Sequence, residues 1–209
     1  MSNLENILRC IPGYILDPAG TYEKNRKTNS YRSIVILLIL DAVIFLLSGL
    51  SSYIYEILSR RSTGPYLLLP SSGIFLLINF IFMILVIMAV IHFTSRYENR
   101  DVKFVDSFKI SIVSYTYYIL VIAIFNLIKI LYTAGMGYNA GSQINFVDYL
   151  ALILALLVFI RVSAEGIKIL HGLSRMKSYV IAIISIAAAK IIVYLASPLI
   201  GDFCLFIAL

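Results

Sequence analysis

Five stretches of this chain stay apolar for longer than a water-soluble fold uses: about Ser33 to Leu58, Ser72 to Phe93, Phe108 to Leu131, Phe146 to Ile169, and Tyr179 to Ile200. An α-helix needs ~20 apolar residues to cross the ~30 Å hydrocarbon core of a bilayer, and each stretch meets that length. Lipid offers no hydrogen bonds, so a spanning segment must satisfy its own backbone, which a helix does. The fold class is therefore all-α: a polytopic helical membrane protein with five transmembrane helices. Composition agrees, since 61% of residues are hydrophobic and 13% charged, where soluble domains carry about a quarter charged. The residues outside the spans are too few for a second domain with its own core. The chain divides into an N-terminal segment, 1–32, and a transmembrane domain, 33–209.

The N-terminal segment has no long apolar run followed by a small-residue cleavage site, so the first span is read as directing insertion. Ser2-Asn3-Leu4-Glu5 has the form of a capping box, and Leu4, Ile7, Leu8 and Ile11 follow at helical spacing until Pro12-Gly13. This predicts a short helix lying on the membrane surface. A second short helix is predicted after Asp17-Pro18, because Asp caps well and Pro suits a first turn. Pro198 falls at the end of the last span and the other prolines fall outside the spans, which predicts helices without proline kinks.

Basic residues set the orientation. Arg9, Lys24, Arg26, Lys27 and Arg32 precede the first span. Arg96, Arg100, Lys103 and Lys109 lie between the second and third, and Lys168, Arg175 and Lys177 between the fourth and fifth. These twelve share one side; the other has Arg60, Arg61 and Lys129. The excess places the N-terminus in the cytoplasm and the short C-terminus outside, in a multi-pass protein. Cys10 and Cys204 then lie on opposite sides and cannot bond to each other. The net charge of +6 is spread between apolar runs and forms no patch of the kind that binds nucleic acid. It suits anionic lipid headgroups instead.

Four ionisable residues fall inside spans: Asp41, Arg161, Glu165 and Lys190. Each costs ~2.5 to 3.5 kcal/mol at a helix centre, so each needs a partner or a purpose. All four fall in the inner half of the bilayer, Asp41 and Lys190 at depths of roughly 12 and 16 Å. Arg161 and Glu165 share a helix face, and Asp41 with Lys190 would tie the first helix to the fifth. One reading makes the four a neutralising cluster that holds helix register; the other makes them a proton or ion pathway. His92 and His171 lie at helix ends, where histidines serve as polar caps. With Glu98, Asp101 or Asp106 they could assemble a metal site, but their spacing does not point to one, and no metal or other cofactor is assigned. Gly135 to Gly141 lacks the spacing of a nucleotide-binding loop, and zincin, Walker and nucleophile-elbow patterns are absent. Tyr115, Tyr117 and Tyr118 in the third span read as packing groups.

The order of these features resembles the Yip1 family of small five-span membrane proteins. Ile15-Leu16-Asp17-Pro18-Ala19-Gly20-Thr21-Tyr22 resembles the family's motif ahead of the first span, with Asp17 and Pro18 at its start. Gly166 to Ser178 resembles the close of its fourth span, through His171, Gly172 and Ser174. His92, then Phe104, Phe108 and Tyr115, is similar in placement to its third-span approach. The resemblance implies a non-enzymatic five-span protein with a cytoplasmic N-terminus. For eukaryotic members it also implies contact with Rab-type GTPases. Those carry a longer cytosolic region than the ~32 residues here, so the resemblance points to a prokaryotic member in the plasma membrane. The function expected is that of a membrane scaffold or interaction protein, with lipid and a homo-oligomer or membrane-protein partner; the alternative is a small transporter or channel subunit that uses the intramembrane charges.

Overall fold

The structure, a computed structural model, describes residues 13–25, 36, 38, 39, 42–47, 69–136 and 141–208. Among these, every regular element is helical and no strand occurs. Five helices are delimited: α1, Pro18–Asn25; α2, Leu69–Glu98; α3, Phe104–Met136; α4, Gly141–His171; and α5, Arg175–Ala208. Four of them contain segments long and apolar enough to cross a membrane: Leu77–Glu98, Phe104–Leu131, Phe146–His171 and Arg175–Ala196, with mean hydropathies of 1.9 to 2.5. These correspond to the second to fifth predicted spans. The first predicted span, with Asp41, lies mostly outside the described residues, as does the predicted helix after Ser2; residues 42–47 are helical.

The four long helices form a closed ring: α2 packs on α3, α3 on α4, α4 on α5, and α5 returns to α2. Ion pairs show that neighbours run antiparallel. Lys129 near the end of α3 meets Asp148 near the start of α4 at 2.6 Å, and Lys177 at the start of α5 meets Glu98 at the end of α2. Each helix extends several residues past its apolar run. Hydrophobicity marks the hydrocarbon, whereas the backbone hydrogen-bond ladder continues through polar residues into the headgroups. For the same reason Pro198 lies inside α5 and Gly135 and Gly141 are helical, where a span end and a loop were predicted.

The core centres on α3, where Lys109 to Ile119 are all buried. A helix covered on every side needs neighbours beyond two ring partners. The N-terminal segment supplies one, with Tyr14 6.2 Å from Tyr117; apart from it, Phe45 of residues 42–47 packs 5.3 Å from Phe80 of α2. The outward faces of α4 and α5 present Ile153, Leu157, Ile183, Ile191 and Leu195, an apolar surface suited to lipid.

Candidate functional site

Two assemblies concentrate the polar residues singled out in the sequence. The first sits where the α2–α3 and α4–α5 turns meet. His92 comes from the last turns of α2, Ser107 from the first turn of α3, and His171 is the last residue of α4. The His92 Nδ1 lies 3.2 Å and the His171 Nε2 3.3 Å from the Ser107 Oγ. All three are buried, at 7%, 0% and 2% exposure for His92, Ser107 and His171. The His171 Nδ1 is buried with no hydrogen-bond partner. A bare lone pair costs less there than an orphaned N–H. The proton therefore belongs on Nε2, which donates to Ser107 Oγ, and the Ser107 hydroxyl lies between two acceptors, His92 Nδ1 at 3.2 Å and the Lys103 carbonyl at 3.5 Å. Phe93 and Phe104 flank His92 edge-on at 5.7 and 5.4 Å.

The turns are built to hold this junction. Asn99 donates from Nδ2 to the His171 carbonyl at 2.8 Å, satisfying one of the orphan carbonyls at the end of α4. Its Oδ1 accepts from the Asp101 N–H at 3.1 Å, which makes a local turn. Gly172 then adopts φ 69°, the left-handed conformation that ends a helix and favours glycine. Ser174 follows at the start of α5, its carbonyl accepting the Ser178 N–H at 3.0 Å. A hydroxyl between two imidazoles resembles the makings of a nucleophile. Here, however, the hydroxyl is wholly buried, and each ring is turned to Ser107.

The second assembly is the seat of the N-terminal segment. The Asp17 Oδ1 accepts the Gly20 N–H at 3.0 Å and its carbonyl accepts the Thr21 N–H at 3.1 Å, so Asp17 caps α1 and Pro18 opens it, as the sequence predicts. The helix does not simply rest on the membrane surface. Tyr22 is wholly buried against α3 and α4, and a Cβ at Gly166 would stand 2.7 Å from its Cζ. Gly166 is the notch that admits the ring. Tyr14 meets Tyr22 edge-on at 4.9 Å. Burial, with Tyr14 alongside, pushes the Tyr22 phenol well above its ordinary pKa, so the group is neutral.

Of the four intramembrane charges of the predicted cluster, three fall among the described residues. Asp41 lies outside the described residues. Arg161 and Glu165 do not pair: Arg161 Nη2 donates to the Leu16 carbonyl at 3.4 Å, and Glu165 takes Lys168 at 3.3 Å. The N-terminal segment supplies an acceptor that spacing along α4 could not reveal. Lys190 donates to the Tyr118 hydroxyl at 2.7 Å and lies 4.7 Å from that ring's centroid, while Tyr118 stacks on Tyr115 at 5.6 Å. Among the described residues no group of three His, Cys, Asp or Glu stands close enough to hold a metal ion. Ser107, Asn99 and Tyr22 were not singled out as site residues. Ser107, Ser111 and Ser114 recur at one-turn spacing on α3, a stripe of small residues that marks a helix contact in lipid.

A ring of long apolar helices, with buried polar ties at one end and a docked N-terminal segment, defines a multi-pass membrane protein whose helices contact lipid. The chain belongs to the Yip1 family, for the family's model, the Yip1 domain, matches residues 13–197. The match begins with the docked segment and runs through all four described spans. No curated protein and no solved structure matches the chain.

Proposed function

We propose that this protein is a non-enzymatic scaffold or interaction protein of the cell membrane, its N-terminus and basic turns facing the cytoplasm and anionic lipid. The observation that carries this reading is that polar groups serve as ties between elements, buried at the histidine junction and on the bundle surface at Arg161 and Lys190. His92, Ser107 and His171 join α2, α3 and α4; Lys190 joins α5 to α3; Arg161 joins α4 to the N-terminal segment. Groups engaged in this way hold helices in register, whereas a transport site keeps its charges open to water and exchangeable. The twelve-to-three excess of basic residues supports the orientation, and five spans follow if 33–58 crosses as its length allows. The exposed apolar faces of α4 and α5 offer room for a second copy or a membrane-protein partner.

Ion and solute flux tests the reading. In proteoliposomes under an imposed pH gradient, the wild-type protein passes neither protons nor small solutes above the level of protein-free vesicles. Flux that Glu165→Gln and Asp41→Asn each abolish in folded protein would replace the scaffold with a transporter.

A further inference from the structure

A groove of about 620 Å³ runs between α2 and α5, lined by Phe93, Tyr97, Glu98, Lys177, Val180 and Ile184 among others. Its two ends differ in chemistry. Glu98 is the last residue of one membrane-crossing segment and Lys177 the third of another, so their ion pair lies at headgroup level. Ile184 is seven residues further along α5, ~10 Å deeper at a helical rise of about 1.5 Å per residue. From Lys177 inwards the wall is apolar, and Phe93, Val180 and Ile184 are 70%, 47% and 47% exposed. Tyr97, 91% exposed, stands beside the polar end. The residues 42–47 that pack on α2 do so at Phe80, thirteen residues from Phe93 and on another side of the helix.

We propose that this groove is a binding site for a zwitterionic aminophospholipid, with an acyl chain between α2 and α5 and the headgroup on the Lys177–Glu98 pair. The assignment rests on charge complementarity. The pair presents one cation and one anion side by side, each part-exposed, at 54% for the Lys177 side chain and 34% for Glu98. A phosphoethanolamine headgroup presents the opposite set: a phosphate for the ammonium of Lys177, and an ammonium with N–H donors for the carboxylate of Glu98. A phosphoglycerol headgroup supplies the phosphate but a neutral glycerol in place of the ammonium, so Glu98 gains hydroxyl donors and no counter-charge. A choline headgroup has no N–H to donate to it. The site shares only Phe93 with the histidine junction and nothing with the docked N-terminus, and its lipid preference is read separately from the scaffold reading.

The chain contains no tryptophan, so Phe93→Trp introduces a single indole into the groove, and quenching by lipids brominated on their acyl chains reports which lipid occupies it. Ile184→Trp gives the same readout from α5 should the first variant fold poorly. Ile153→Trp, on the exposed face of α4, reports bulk lipid. In phosphatidylcholine vesicles, brominated phosphatidylethanolamine should quench the groove indole at a several-fold lower mole fraction than brominated phosphatidylglycerol or phosphatidylcholine. It should show no such preference at position 153. Adding Glu98→Gln should erase the preference while quenching by all three persists. Equal quenching by the three lipids, a preference for phosphatidylglycerol, or a preference that survives Glu98→Gln would overturn the proposal. So would an indole shielded from every lipid in a protein that crosslinks as a dimer through this groove.

Discussion

At the histidine junction a single hydroxyl does what neither imidazole could do alone. Two buried rings offer nitrogens that must be satisfied or left dry, and Ser107 satisfies one from each at 3.2 and 3.3 Å. Ser107→Ala removes one oxygen and strands two buried nitrogens, which costs about 1 to 3 kcal/mol by the desolvation of unpaired polar groups. Thermal unfolding in detergent micelles should show the variant destabilised by that order. An unchanged midpoint would mean that the rings find other partners. Gly172 works differently. A Cβ there would meet nothing closer than the Asn99 side chain at 3.9 Å, so the demand for glycine comes from φ 69° and not from crowding. The left-handed residue turns the chain from α4 into α5 within three residues, which keeps His171 beside Ser107.

At the scale of elements, the decisive contact is α1 against α4. A short helix of eight residues is marginal by itself, and its persistence rests on packing. Tyr22 provides that packing through the notch at Gly166. Gly166→Ala puts a methyl carbon 2.7 Å from Tyr22 Cζ and 3.0 Å from Ile110 Cγ1. Overpacking of this kind costs about 1 to 3 kcal/mol, more than the roughly 1 kcal/mol that alanine gains over glycine in a helix. The variant should lose stability and expose the N-terminal segment to added protease. In a Tyr22→Ala background the loss should shrink or reverse, since the nearer obstacle is gone and only Ile110 Cγ1 at 3.0 Å is left to shift. Additive losses would show that Tyr22 does not occupy the notch. The wedge also accounts for Arg161, which finds the Leu16 carbonyl at 3.4 Å because α1 brings that backbone alongside α4.

For the whole molecule, topology is the property from which partners and orientation follow. The proposed topology, five spans with a cytoplasmic N-terminus, would put Cys10 and Cys204 on opposite faces. In right-side-out membrane vesicles, a membrane-impermeant maleimide should label Cys204 and leave Cys10 until the vesicles are opened. Cys10→Ser and Cys204→Ser variants assign each signal. Labelling of both residues from one side would require an even number of crossings. The closed ring of α2 to α5 is compatible with a fifth helix joining from outside, since Phe45 already meets α2 at Phe80.

Read alone, the sequence determined the helical membrane class, four of the described spans to within a few residues, the Asp17-Pro18 start of α1 and the family resemblance. These rest on signals carried by neighbours along the chain: the length of an apolar run, a cap beside a proline, a short motif. Tertiary structure alone decided which polar residues meet. His92 and His171 read as separate helix caps because 79 positions divide them, and only the ring of helices brings both to Ser107. Arg161 and Glu165 share a helix face, yet the Leu16 carbonyl and Lys168 lie closer to hand. Periodicity reports which face of a helix is apolar. It carries no information on which neighbour covers that face, and in lipid, where almost every face is apolar, the neighbour is set by small residues, notches and hydrogen bonds that become visible when the helices are assembled.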